Sequence, residues 1–207
     1  MLDIFKQSKK DKSIENLIDV RNNINSKWLE TKISNHLENN SLDLSIDDVK
    51  SQIMNNDLVA SMFMKNPTKQ NIYENISANF IKELNIVDDF VNHPSNVKLF
   101  LYNGKIVNTK HNGLKSIDFT WKSNGKNIYA TQKYIDEHGG AQDNQFNDII
   151  TFLENAIKSN PDDDNVYVVI VDGDYFNEQK MNILKQYQRK NIIITSTFNI
   201  EEQLKNV

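Results

Sequence analysis

The sequence predicts an α/β protein: a mixed central β-sheet flanked by helices, preceded by a helical N-terminal part. Three observations predict it. Apolar residues recur at helical spacing through the first ninety positions and then change to alternation. Asn124-Gly125 separates two alternating segments, the strongest short hairpin signal, because both residues tolerate the positive φ of a type I′ turn. Val166 to Val171 is a continuous apolar run, as expected of a strand covered on both faces.

Ser13 is placed to cap a first helical run, with Ile14, Leu17, Ile18, Ile24, Trp28 and Leu29 along one side. Ser45 opens a second run, with Asp47 and Asp48 favourably placed in its first turn. Leu58, Met62 and Phe63 continue that pattern until Pro67 stops it. A third helix is expected from Lys69 to Leu84, with Ile72, Ile76, Phe80 and Ile81 at helical spacing.

Val97 to Tyr102 then reads as a strand, followed by a turn at Gly104 and a short return through Ile106 and Val107. Residues 115–122 and 127–134 form the hairpin. Helix returns after Gly139-Gly140, with Phe146, Ile149, Ile150, Leu153 and Ile157 on one face. The strand at 166–171, a helix around 176–189, a strand from Ile192 to Ile194 and a short C-terminal helix complete the order. The strands and helices from residue 95 run β-β-β-α-β-α-β. Residues 1–94 are therefore assigned as a helical region packed on a mixed-sheet core of residues 95–207.

At 207 residues the chain can bury roughly 70% of its unfolded surface without structural staples. Zero cysteines exclude disulfides, thiolate metal sites and cysteine nucleophiles. Mean hydropathy is -0.61. No apolar stretch reaches signal-peptide or membrane-span length, so a cytoplasmic protein with no membrane partner is expected. There is no P-loop, dinucleotide fingerprint or zinc-type ligand cluster.

The formal charge is -4, yet residues 97–133 hold seven lysines (98, 105, 110, 115, 122, 126 and 133) against one acid, Asp118, hence about +6. A two-residue Asn124-Gly125 loop pairs Ser123 with Lys126, which puts Asp118 opposite Thr131. Lys133 is then its diagonal neighbour on the same face, about 7–8 Å away. Ile117, Phe119, Trp121, Ile128 and Ala130 make the core face, and Gln132 falls with them. Ser116, Asp118, Thr120, Tyr129, Thr131 and Lys133 share the other. A lone carboxylate among bases suits a hard cation held beside a phosphate, with the ammonium orienting a nucleophile or stabilising charge. This points to nucleic-acid cleavage. The same pair also fits an ordinary cross-strand ion pair.

Three segments, Ser116–Phe119, Ala130–Tyr134 and Gly139–Asp148, resemble type II restriction endonucleases of the PD-(D/E)xK superfamily. Lys65–Glu74 and Val171–Phe176 look like further segments of such enzymes, and the resemblance covers roughly residues 57–197. It implies a restriction-endonuclease-like core, Mg2+ as cofactor, double-stranded DNA as substrate, and Asp118 and Lys133 as the invariant acid and lysine. Two departures stand out. Ile117 replaces the proline of the motif's name, and Thr131 occupies the slot of the second acid. Some members take that acid from a neighbouring helix, and Glu74 and Asp143 are the candidates here for catalysis and metal binding.

The loop from His138 to Gln145 allows close approach of backbone to a phosphate, and its amides can bond adenine edges. Gln142, Asn144, Gln145, Thr131, Lys110 and Asn112 are the candidate substrate contacts. Asp143 is equally a helix cap, and His138 a loop histidine. Asp172-Gly173-Asp174 offers a rival carboxylate pair at a strand end, and equally a turn. Asp162-Asp163-Asp164 reads as a solvated connection and Lys6 to Lys12 as a basic terminus. The expectation is a Mg2+-dependent, site-specific endonuclease acting as a homodimer, with a cognate DNA methyltransferase implied by the resemblance. The alternatives are a DNA-binding module on a degenerate nuclease fold, favoured by Thr131, and a non-specific or junction-processing nuclease.

Overall fold

Asparagine and serine punctuate the first part of the chain, because their side chains compete with the backbone for helical hydrogen bonds. The computed structural model describes residues 2–93, 98–111, 113–136 and 140–205, and divides into two units, Asp3–Ile72 and Tyr73–Val207. The first unit carries α1 (Leu2–Asn22), α2 (Lys27–Asn39), α3 (Ile46–Asn55) and α4 (Asp57–Phe63). Val20, Leu29, Ile33, Ile53 and Phe63 are at its core. Ser45 caps α3 in a capping box with Asp48.

Two expectations fail here for local reasons. Ser13 caps nothing: its hydroxyl donates to the Lys9 carbonyl at 2.9 Å inside α1. The break falls instead at residues 23–26, where Ser26 Oγ donates to the Asn23 carbonyl at 2.7 Å. The run from Ser45 to Phe63 is likewise split, because Asn56 Oδ1 accepts the backbone N–H groups of Leu58 and Val59 and starts α4.

The second unit opens with α5 (Ile72–Lys82) and is built on a five-stranded sheet. Its strands are β1 (Asp88–Asn92), β4 (Phe119–Ser123), β5 (Lys126–Tyr134), β6 (Asn165–Asp172) and β7 (Ile192–Thr195), in that spatial order. A separate two-stranded ribbon joins β2 (Phe100–Tyr102) to β3 (Lys105–Val107). β1, β4 and β5 are antiparallel; β5, β6 and β7 are parallel. The sheet is therefore mixed, and the chain is α/β. Phe146, Ile149 and Leu153 of α6 (Gly140–Ala156) and Leu184 of α7 (Glu178–Lys185) cover one face. Ala78 and Ile81 of α5, with Ile200 and Leu204 of α8 (Ile200–Leu204), cover the other. Both faces of β6 are thus closed, and Val166 to Val171 are all buried.

β1 lies in the stretch expected to be helical, and α5 and β1 belong to the sheet unit, so the division falls at 72/73 rather than 94/95. The strand is short, begins with two aspartates and pairs irregularly with β4, which hides it from periodicity. Ile117 also departs from expectation, packing with Leu101 and Ile135 on the α6 face. Its N–H bonds the Leu99 carbonyl at 2.8 Å, so the chain leaves the ladder of the main sheet just before β4. Among the described residues no helix is long and apolar enough to cross a membrane.

Candidate active site

The Asn124-Gly125 turn sets everything that follows. Both residues have positive φ, 51° and 78°, and β4 pairs with β5 as Ser123↔Lys126 through Phe119↔Ala130. At Asp118 the regular pairing ends: its N–H bonds the Ala130 carbonyl, already opposite Phe119, at 2.9 Å, while its own carbonyl accepts from His93 N at 2.9 Å. Its carboxylate is held by one oxygen. Oδ2 accepts the Thr131 hydroxyl at 3.0 Å and the Gln132 N–H at 2.8 Å. The Lys133 ammonium stands 3.6 Å from that same oxygen and donates to the Gln132 carbonyl at 2.9 Å. Oδ1 accepts no hydrogen bond among the described residues. The two side chains are 22% and 18% exposed for Lys133 and Asp118, so the pair is sheltered but open to a small ion.

Glu74 of α5 feels the charges of this pair. Burial raises its pKa first, the Asp118 charge raises it further, and Lys133 acts in the opposite sense. The carboxyl is therefore within electrostatic reach of both groups. An aromatic stack links α5 to the end of β5: the Tyr73 ring lies 4.0 Å from that of Tyr134. Glu74 follows one ring and Lys133 precedes the other.

Asp143 is placed otherwise. Its Oδ1 accepts the Tyr175 hydroxyl at 2.5 Å and stands 3.7 Å from the Lys180 ammonium, which itself sits over the Phe146 ring. Thr131 is only 5% exposed and its hydroxyl donates a hydrogen bond to Asp118, so it orients the acid. Gln142 and Gln145 are half-buried and Asn144 is exposed on the first turns of α6. None of these three amides is hydrogen-bonded through its side chain among the described residues. Asn112, His138 and Gly139 lie outside the described residues. Of the rival pair, Asp172 is committed to the fold: its Oδ2 accepts the Thr197 hydroxyl at 2.6 Å, and burial raises its pKa. Asp174 is exposed.

The lysine-rich segment is less basic in space than in sequence. Lys122 pairs with Asp89 at 2.8 Å, Lys126 with Asp164 at 2.8 Å and Lys115 with Asp148 at 3.6 Å. Lys98, Lys105 and Lys110 are exposed and have no acidic partner among the described residues.

His93, which no sequence signal marked, adjoins the site. Its Nε2 lies 2.8 Å from the Thr120 hydroxyl, and Nδ1 is buried with no partner among the described residues. Burial lowers its pKa while Asp118 pulls it upward. Only the β1–β4 pairing brings it here, and that pairing was not legible.

Among the described residues no three His, Cys, Asp or Glu side chains group closely enough to hold a metal on protein ligands alone. Two carboxylates with one oxygen free fit Mg2+, which keeps several waters and takes one or two carboxylates. They do not fit a fully protein-caged ion such as zinc. Comparison with protein-family models, curated proteins and solved structures yields no match to this chain.

Proposed function

We propose that the protein is a Mg2+-dependent, site-specific endonuclease that hydrolyses phosphodiester bonds in double-stranded DNA, of the type II restriction class. The observation that carries this reading is the Lys133 ammonium 3.6 Å from Asp118, a carboxylate with one oxygen pinned and the other available, with the Glu74 carboxyl coupled electrostatically to both. The mixed sheet flanked by helices and the acid–lysine pair on adjacent strands are in keeping with the PD-(D/E)xK resemblance. Glu74 takes the part of the second acid that Thr131 cannot play.

In this mechanism Asp118 and Glu74 would hold the cation. A Mg2+ ion bound there would supply Lewis acidity and lower the pKa of a water beside the phosphate. Thr131 and the Gln132 N–H fix the Asp118 carboxylate so that it need not reorganise. Lys133 presents a charge to the phosphate or orients the attacking water. The free amides of Gln142, Asn144 and Gln145 are suited to base edges and phosphates. Symmetric cutting of both strands calls for a homodimer, and a nuclease of this class calls for a cognate DNA methyltransferase.

A second reading, a DNA-binding module without catalysis, is favoured by the hydroxyl at Thr131. Plasmid DNA incubated with the protein and Mg2+, or with EDTA, separates the two. Metal-dependent fragments of fixed size are expected. Binding without any cut supports the module, and a smear or structure-dependent cutting supports a non-specific or junction-processing nuclease.

A further inference from the structure

The β2–β3 ribbon carries what the rest of the lysine-rich segment has lost. Of the seven lysines between residues 97 and 134, four stand beside acids: Lys115, Lys122, Lys126 and Lys133. The remaining three, Lys98, Lys105 and Lys110, all lie on the ribbon or at its ends, and residues 98–117 contain no acid at all. Lys158 adds a fourth cation, reaching from the end of α6 to Asn103 Oδ1 at 3.2 Å with no acid beside it among the described residues. Elsewhere in this unit, Lys82, Lys185 and Arg189 are exposed with no acid beside them among the described residues, Arg189 donating to the Ile157 carbonyl at 3.1 Å.

The ribbon is also anchored to the rest of its unit. Its Asn103-Gly104 turn has φ of 47° and 76°, and a Cβ at Gly104 would lie 2.5 Å from the Ser159 nitrogen, so the turn is seated on the chain after α6. Asn155 Oδ1 accepts the Asn103 N–H at 2.9 Å, and the Tyr167 hydroxyl donates to the Gly104 carbonyl at 3.1 Å. Phe100 and Leu101 are buried beneath it. On the outer side Tyr102, 37% exposed, stacks on His111 with centroids 3.8 Å apart and planes 9° apart. That stack holds the loop carrying Lys110 against β2. At its base the Leu99 carbonyl takes the Ile117 N–H, one residue before Asp118.

An anchored, cationic, two-stranded ribbon tied to the segment of the candidate catalytic acid has the charge and the width to lie along a DNA groove. We infer that the β2–β3 ribbon is the element that grips duplex DNA, with Lys98, Lys105 and Lys110 on its phosphates. This rests on the nuclease reading for the identity of the partner.

The test is the salt dependence of binding of the full-length protein to a labelled DNA duplex in EDTA, read by fluorescence anisotropy. Wild type is compared with a ribbon triple (Lys98→Gln, Lys105→Gln, Lys110→Gln) and a control double (Lys122→Gln, Lys126→Gln). Each phosphate contact contributes about 0.9 to the log–log slope, so the ribbon triple should lose about 2 to 3 units of slope and the control well under 1. The single variants Lys105→Gln and Lys110→Gln, each losing about 1, guard against misfolding of the triple. An unchanged slope in the triple, or an equal loss in the control, overturns the inference. Mg2+-dependent cutting by the same wild-type preparation keeps the outcomes apart. Cutting with an unchanged triple sinks the ribbon alone, whereas a wild type that neither cuts nor binds DNA sinks the nuclease reading and the ribbon with it.

Discussion

Tyr73 stacks face to face on Tyr134, with centroids 4.0 Å apart and planes 25° apart. The contact ties the first turn of a helix to the end of a central strand, and of the adjacent residues Lys133 pairs with Asp118 while Glu74 is coupled electrostatically to both. Burial and the nearby Asp136 push the Tyr134 phenol far up, so it stays protonated at any working pH. Such a stack is worth about 0.5–1.5 kcal/mol beyond buried area. Tyr134→Ala is therefore expected to raise the Mg2+ needed for half-maximal cutting by about 3- to 10-fold, and Tyr134→Phe to restore it. A Mg2+ titration of cleavage rate measures this; equal behaviour of the two variants would show that the ring does not position Glu74.

Asp118 and Lys133 separate stability from chemistry. Asp118→Ala leaves the Thr131 hydroxyl and the Gln132 N–H without their acceptor, costing about 1–3 kcal/mol. Lys133→Ala removes a part-exposed ion pair and should cost about 1 kcal/mol or less. Both are expected to reduce cutting by at least about 100-fold. Plasmid cleavage alongside thermal unfolding gives both quantities. A Lys133→Ala protein that cuts at the wild-type rate ends its assignment.

Glu74→Gln and Asp143→Asn decide which acid completes the site. The structure favours Glu74, so Glu74→Gln should lower cleavage by about 100-fold. Asp143→Asn should leave cutting within a few-fold, since its carboxylate serves Tyr175 and Lys180. The reverse ranking would move the metal towards the start of α6.

Asp172 governs a pH dependence of stability. Its folded pKa is raised by burial against the opposing Thr197 hydrogen bonds. A raised carboxyl favours the folded state fully below the unfolded aspartate value, and that contribution is lost as pH rises through the folded value. Urea melts between those two pH values should show stability falling with pH in the wild type. Asp172→Asn, which cannot ionise but still offers Thr197 an acceptor, should flatten this limb; an unchanged slope refutes the assignment.

Gly173 and Gly125 test close approach against backbone strain. Gly173 has φ of +102°, and a Cβ there would fall 2.1 Å from the Ile135 carbonyl oxygen, whereas Gly125, at φ +78°, has open space around it. Gly125→Ala should cost about 1 kcal/mol. Gly173→Ala should cost about 3 kcal/mol or more, because backbone must move as well. Comparable losses in the two would mean that the β5–β6 end yields easily.

What was legible before folding is what depends on near neighbours in the chain. The Asn124-Gly125 turn fixed the pairing from Ser123↔Lys126 to Phe119↔Ala130, since a two-residue turn leaves one register open, and the side chains of Thr131 and Lys133 reach Asp118 just beyond it. The apolar run at 166–171 declared a strand covered on both faces. Side-chain competition was read at Ser45 but missed at Asn56 and around Ser26, and a strand starting with two aspartates went unseen at 88–92. Only the tertiary structure drew Glu74 rather than Asp143 towards Asp118, brought His93 beside Thr120, and set Asp89, Asp148 and Asp164 against lysines distant in sequence. Carboxylates find their partners through the crossing of strands and helices, and Coulomb energy depends on separation in space, about which distance along the chain says nothing.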